Sequence, residues 1–81
     1  MIPNEPHRAR HLLARRVRVL RAMRGWTQEG LAAESDLHRT YVSGIERGMR
    51  NVGLDNLERL AQALNVSLGD LFSERNEERS G

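Results

Sequence analysis

Leu13, Val17 and Leu20 recur at i, i+4 and i+7 in a stretch from residue 7 to 23 that contains no glycine or proline. That spacing is one apolar stripe of a helix, so the pattern predicts a first helix from about His7 to Met23. Gly25 ends it, in the manner of a C′ glycine. Arg8, Arg15, Arg16, Arg18 and Arg24 are expected on its solvent side. Thr27 is a good N-cap, and Trp26 with Leu31 has the spacing of a hydrophobic staple, which opens a second helix and assigns Trp26 to the core. A turn is expected over Ser35 to Leu37, then a third helix from His38 to about Arg47, stopped by Gly48. Leu54, Leu57, Leu60, Ala61 and Leu64 make one apolar face, predicting a fourth helix from Leu54 to Leu64. Ser67 and Asp70 have capping-box spacing and would start a short fifth helix carrying Leu68, Leu71 and Phe72. The fold expected is all-α: a compact five-helix bundle with helices 2 and 3 as a helix-turn-helix. Residues 1–6 hold both prolines and read as a flexible leader, residues 7–73 as the domain, and residues 74–81 as a charged tail.

The third helix divides by chemistry. At roughly 100° per residue, Arg39, Thr40, Ser43, Gly44 and Arg47 fall within an arc of about 140°. His38, Tyr41, Val42 and Ile45 point largely the other way, with Glu46 at the margin. A short helix with an apolar inner side and an outer side of arginine and hydroxyls suits readout of base edges in a major groove. Gly44 on that outer side would leave room for close approach of a phosphate or base. Met49, Arg50 and Asn51 would form a loop beside this helix, within reach of backbone phosphates.

Charge strengthens this reading. The net charge is +2, but residues 7–50 carry ten arginines against four acids, while residues 51–81 carry three against six. A basic front half suits a face presented to polyanionic phosphate. All thirteen cationic side chains are arginine. Arginine favours bidentate contacts with phosphate and guanine, although the codon usage of a GC-rich genome accounts for the bias equally well. With no cysteine, a disulfide framework and a thiolate metal site are excluded. No apolar run approaches the ~20 residues that span a bilayer, and the N-terminus lacks a secretory apolar segment, so a cytoplasmic protein without membrane contact is expected. His7 and His11 have an i, i+4 spacing that can bind metal, but no HExxH pattern accompanies them, and His38 has no nucleophile that the sequence identifies. An enzyme is therefore not expected, nor a cofactor, metal or small-molecule ligand.

The segments VRVLRAMRGWTQEGLA, RTYVSGIERG and LDNLERLAQALNVSLGDLF, in this order between Val17 and Phe72, resemble the lambda-repressor-like, Cro-type (XRE) helix-turn-helix family. RTYVSGIERGMRN looks most like the controller proteins of restriction–modification systems. The resemblance implies a homodimeric, autoregulatory transcriptional regulator that binds double-stranded DNA at a pseudo-palindromic operator. It implies phosphate contact and bracing of the third helix by Gln28, base contacts by Arg39 and Thr40, and backbone or base contacts by Tyr41 and Ser43. Arg47, Arg50 and Asn51 would hold phosphates, Arg21 and Glu46 would form a structural ion pair, and Leu68, Leu71 and Phe72 would supply the dimer contact. An antitoxin or other protein-interaction module on the same fold is the alternative. Two positions depart from the family pattern: Gly30 stands where Glu or Lys is common, and Asp36 where the turn usually has glycine. Aspartate tolerates the left-handed backbone better than most residues, so the turn is expected to survive.

Overall fold

The computed structural model describes residues 7–74; the expected leader and all but the first residue of the expected tail lie outside them. Helix α1 runs over Arg8–Met23, α2 over Gln28–Ser35, α3 over Arg39–Glu46 and α4 over Leu54–Leu64. The expected bundle is thus all-helical, but with four α-helices among the described residues rather than five. Where the fifth helix was expected there is a single 3₁₀ turn, Gly69–Phe72. Its capping box does form: Ser67 N donates to Asp70 Oδ2 and Asp70 N to Ser67 Oγ, both at 3.2 Å. Two features mark where the turn ends. Arg16 Nε donates to the Asp70 carbonyl at 2.7 Å, the oxygen that the N–H four residues on would need, and Ser73 turns extended at φ −70°, ψ 140°.

Every α-helix ends in the same way. A residue in the left-handed region stands one residue past α2 and α4 and two past α1 and α3, and two backbone N–H groups fold back onto the last turn, the Schellman arrangement. After α1, Gly25 N donates to Ala22 O and Trp26 N to Arg21 O, with Gly25 at φ 71°. Gly48 serves α3 at φ 72°. Asp36 and Asn65 do the same for α2 and α4 at φ 58°, so the aspartate in the turn takes the left-handed conformation expected of it. At the other end of α2, Thr27 Oγ1 accepts a hydrogen bond from Gly30 N at 3.0 Å.

Leu13, Val17, Leu20, Leu31, Ala32, Val42, Ile45, Leu57, Leu60, Ala61, Leu64 and Leu71 are buried in one continuous core, with Trp26, Leu37, Tyr41 and Phe72 packed against it. Three residues depart from their expected places. Leu54 opens α4 but is 73 % exposed, so the apolar face of that helix begins at Leu57. Arg16 is buried rather than solvated, because it reaches under the 3₁₀ turn to Asp70. Leu71 is fully buried and Phe72 half-buried, so Leu71 has no surface to offer a second chain; its side chain closes the monomer core. Only Leu68, at 40 % exposure, remains largely presented.

Gly30 weakens an otherwise well-capped helix. A Cβ there would stand 3.5 Å from Thr27 Oγ1 and from Trp26 Cβ, ordinary van der Waals contact. Gly30→Ala is therefore expected to stabilise the fold by about 0.5 to 1 kcal/mol, and Thr27→Ala to destabilise it by about 1 kcal/mol. Urea unfolding of the two variants measures both.

Candidate nucleic-acid interface

Helix α3 has eight residues, too few to hold together alone in water. Val42 and Ile45 anchor its inner side in the core. Its first turn is capped by His38, whose Nδ1 accepts from Thr40 N at 3.1 Å. His38 was expected to point inward; it is instead exposed, because the N-cap position lies outside the helix. That role requires the Nδ1 lone pair, so it belongs to the neutral imidazole.

The opposite end of α3 is held by its terminal carboxylate. Glu46 is 3 % exposed. Arg21 Nε donates to its Oε2 at 2.6 Å and Arg21 Nη2 to its Oε1 at 3.0 Å, forming a two-pronged pair between α1 and α3 as expected. Gln28 Nε2 donates to the same Oε1 at 3.0 Å, and Arg18 Nη1 to the Glu46 backbone carbonyl at 2.5 Å. The hydrogen bond to Glu46 raises the Arg21 guanidinium above its ordinary value, with the Coulombic attraction adding to it and desolvation opposing. Arg21 Nη1 also donates to Trp26 O at 2.7 Å. Gln28, half-buried at the start of α2, thus turns its amide to the carboxylate that ends α3. Arg24 lies over the Trp26 ring, 5.0 Å from the centroid.

Arg39 and Thr40 are exposed on α3, Arg47 is exposed at its C-cap, and Arg50 and Asn51 are exposed in the following loop; Tyr41 and Ser43 are half-buried. Arg39 Nε lies 3.9 Å from Glu29 Oε2, with both side chains more than half exposed. Such an open ion pair is weak, and it leaves the guanidinium available to a stronger acceptor. Asp36 faces Arg59 at 4.0 Å, which partly offsets its charge at the turn. Gly44 differs from expectation. It is buried, because the side chain of Arg50 crosses it; the gap a side chain would fill is occupied from within the protein. Sequence reasoning missed this crossing, the cap by His38 and the carbonyl contact of Arg18, none of which leaves a spacing signal.

Two short helices meeting at a tight turn, the second presenting arginines and hydroxyls outward, define a helix-turn-helix DNA-binding protein. A family model described as helix-turn-helix matches residues 17–71, and the chain belongs to that family, in its Cro-type (XRE) form. It is 52 % identical over 64 residues to the control protein C.BamHI of Bacillus amyloliquefaciens, covering 78 % of this chain and 79 % of that one. It is 45 % identical over 64 residues to the control protein C.SmaI of Serratia marcescens, covering 79 % and 76 %. The crystal structure of the restriction–modification controller protein C.AhdI from Aeromonas hydrophila superposes with a TM-score of 0.75 at 46 % identity, covering 78 % of this chain and 96 % of that one. The protein is a DNA-binding transcriptional regulator. Among the described residues, no helix is long and apolar enough to cross a membrane.

Removing the Glu46 carboxylate leaves Arg21 and Gln28 without their acceptor at the helix junction. Glu46→Ala is expected to destabilise the domain by about 2 to 3 kcal/mol, measured by chemical unfolding. A loss of less than about 0.5 kcal/mol would mean that the carboxylate does not hold the junction.

Proposed function

We propose that the protein is a homodimeric regulator that binds a pseudo-palindromic operator upstream of its own gene, and that it controls a restriction–modification system. The observation that carries this reading is the outward face of α3, with Arg39 and Thr40 exposed on a helix tied to α1 and α2 through Glu46, and Arg47 exposed at its C-cap. In this reading Arg39 and Thr40 reach base edges, Arg39 as the bidentate partner of a guanine. Tyr41 and Ser43 line the groove wall, Arg47, Arg50 and Asn51 hold phosphates, and Gln28 acts as a brace. Leu68 and the exposed part of Phe72 supply the dimer contact, which brings two copies of α3 to half-sites about 34 Å apart. The similarity to proteins named control proteins supports the regulatory role.

The test is a binding titration of the DNA immediately upstream of the gene against a shuffled duplex of equal length. Preference for the upstream DNA by about a thousandfold or more, with two chains bound per site, is the expected result. Equal affinity for both duplexes would count against autoregulation. Within the specific complex, Arg39→Ala is expected to cost about 1 to 3 kcal/mol of discrimination at a single base position. Arg50→Ala should weaken binding to all sequences alike and lower the salt slope by about one unit. The same loss pattern for both variants would refute the division into base and phosphate contacts.

A further inference from the structure

A glycine in the middle of an eight-residue helix weakens that helix relative to alanine, so local helix formation gives no reason for Gly44. The reason lies in the loop that follows. A Cβ at position 44 would stand 2.8 Å from Arg50 Nε, 2.9 Å from Arg50 Cγ and 3.4 Å from Arg50 Cδ. The absent side chain is thus what lets the arginine lie across α3. Beyond that crossing, the Arg50 guanidinium carbon sits 5.5 Å from the centroid of the Tyr41 ring, within the ~6 Å range of a cation–π contact. The Tyr41 hydroxyl in turn accepts a hydrogen bond from Asn56 Nδ2 on α4 at 3.3 Å. A loop arginine is laid onto the helix by a ring that is itself anchored to another helix.

We propose that Gly44, Tyr41 and Asn56 are positioning residues that preset Arg50 on the surface of α3 as a contact for a DNA backbone phosphate. The proposal rests on the reading of α3 as the DNA-contacting helix. Long exposed side chains lose rotamer freedom when they bind, and prior ordering reduces that loss. A guanidinium held against an aromatic face keeps N–H donors for phosphate oxygens. Gly44 and Asn56 act through Arg50, Tyr41 does so in addition to its place at the groove wall, and position 44 becomes a determinant of affinity without needing to touch DNA.

The experiment compares the wild type, Gly44→Ala, Arg50→Ala and the double variant. Each is titrated with a mixed-sequence duplex of about 30 base pairs over a salt series starting near 50 mM, where phosphate contacts dominate. Thermal unfolding is measured in parallel. The atoms that a Cβ at position 44 would crowd belong to one exposed side chain that can swing aside, so Gly44→Ala should stay folded and melt within a few degrees of the wild type. Its affinity should nevertheless fall about three- to fivefold per bound chain, with a flatter salt dependence. In the Arg50→Ala background, the Gly44→Ala change should have no further effect. Wild-type affinity in Gly44→Ala, or an equal loss with and without Arg50, would overturn the positioning role and leave the DNA-binding reading intact. A wild type that fails to bind the duplex at low salt would overturn that reading and the proposal together.

Discussion

The buried carboxylate of Glu46 is the constraint on which the placement of α3 depends. An anion withdrawn from water is tolerated only where donors replace its hydration. Arg21 and Gln28 supply three such donors from two different helices. Removing one partner from a group of this kind is far more damaging than the net stability of the group suggests. The group therefore acts mainly on geometry: it ties the end of α3 to α1 and α2. Arg18, on the backbone carbonyl of the same residue, places a cation at the negative end of the α3 dipole.

That fixed position matters because α2 and α3 are only eight residues each and have little helical stability of their own. Their persistence comes from three sources that the structure combines at both: a side-chain cap at the start, a left-handed residue past the end, and two apolar residues in the common core. Asp36 and Asn65 perform the closing turn as well as the glycines do, because a short polar side chain is tolerated at positive φ where a bulkier one is not. The 3₁₀ turn at Gly69–Phe72 then closes the core with Leu71 and is tied to α1 through Arg16.

Arginine is used in two ways in this chain. Arg16, Arg18, Arg21 and Arg24 point their donors at backbone carbonyls, the Glu46 carboxylate or the Trp26 ring. Arg39, Arg47 and Arg50 lie exposed on or beside α3. The basic count of the front half therefore overstates the charge available to a polyanion, since part of it holds the scaffold together. The same side-chain chemistry serves both ends because a planar fork of donors fits a carboxylate or carbonyl inside the bundle as well as a phosphate outside it.

The helices, their order and most of their ends were legible in the sequence. Leu13–Val17–Leu20 and Leu57–Leu60–Ala61–Leu64 repeat with the period of the helix, and Gly25, Thr27, Gly48 and the Ser67–Asp70 box punctuate it. These are local signals, set by backbone geometry within one or two turns. The pairing of Arg21 with Glu46 came from family resemblance. What only the tertiary structure decided are the contacts between residues far apart in the chain. Arg16 is buried because the Asp70 carbonyl comes to meet it, and the expected fifth helix is a single 3₁₀ turn. Gln28 turns to Glu46, Leu71 enters the core, and Gly44 disappears beneath Arg50. Periodicity assigns a residue to a face of its own helix, but whether that face meets solvent depends on which distant side chain crosses it, and that is settled when the helices pack.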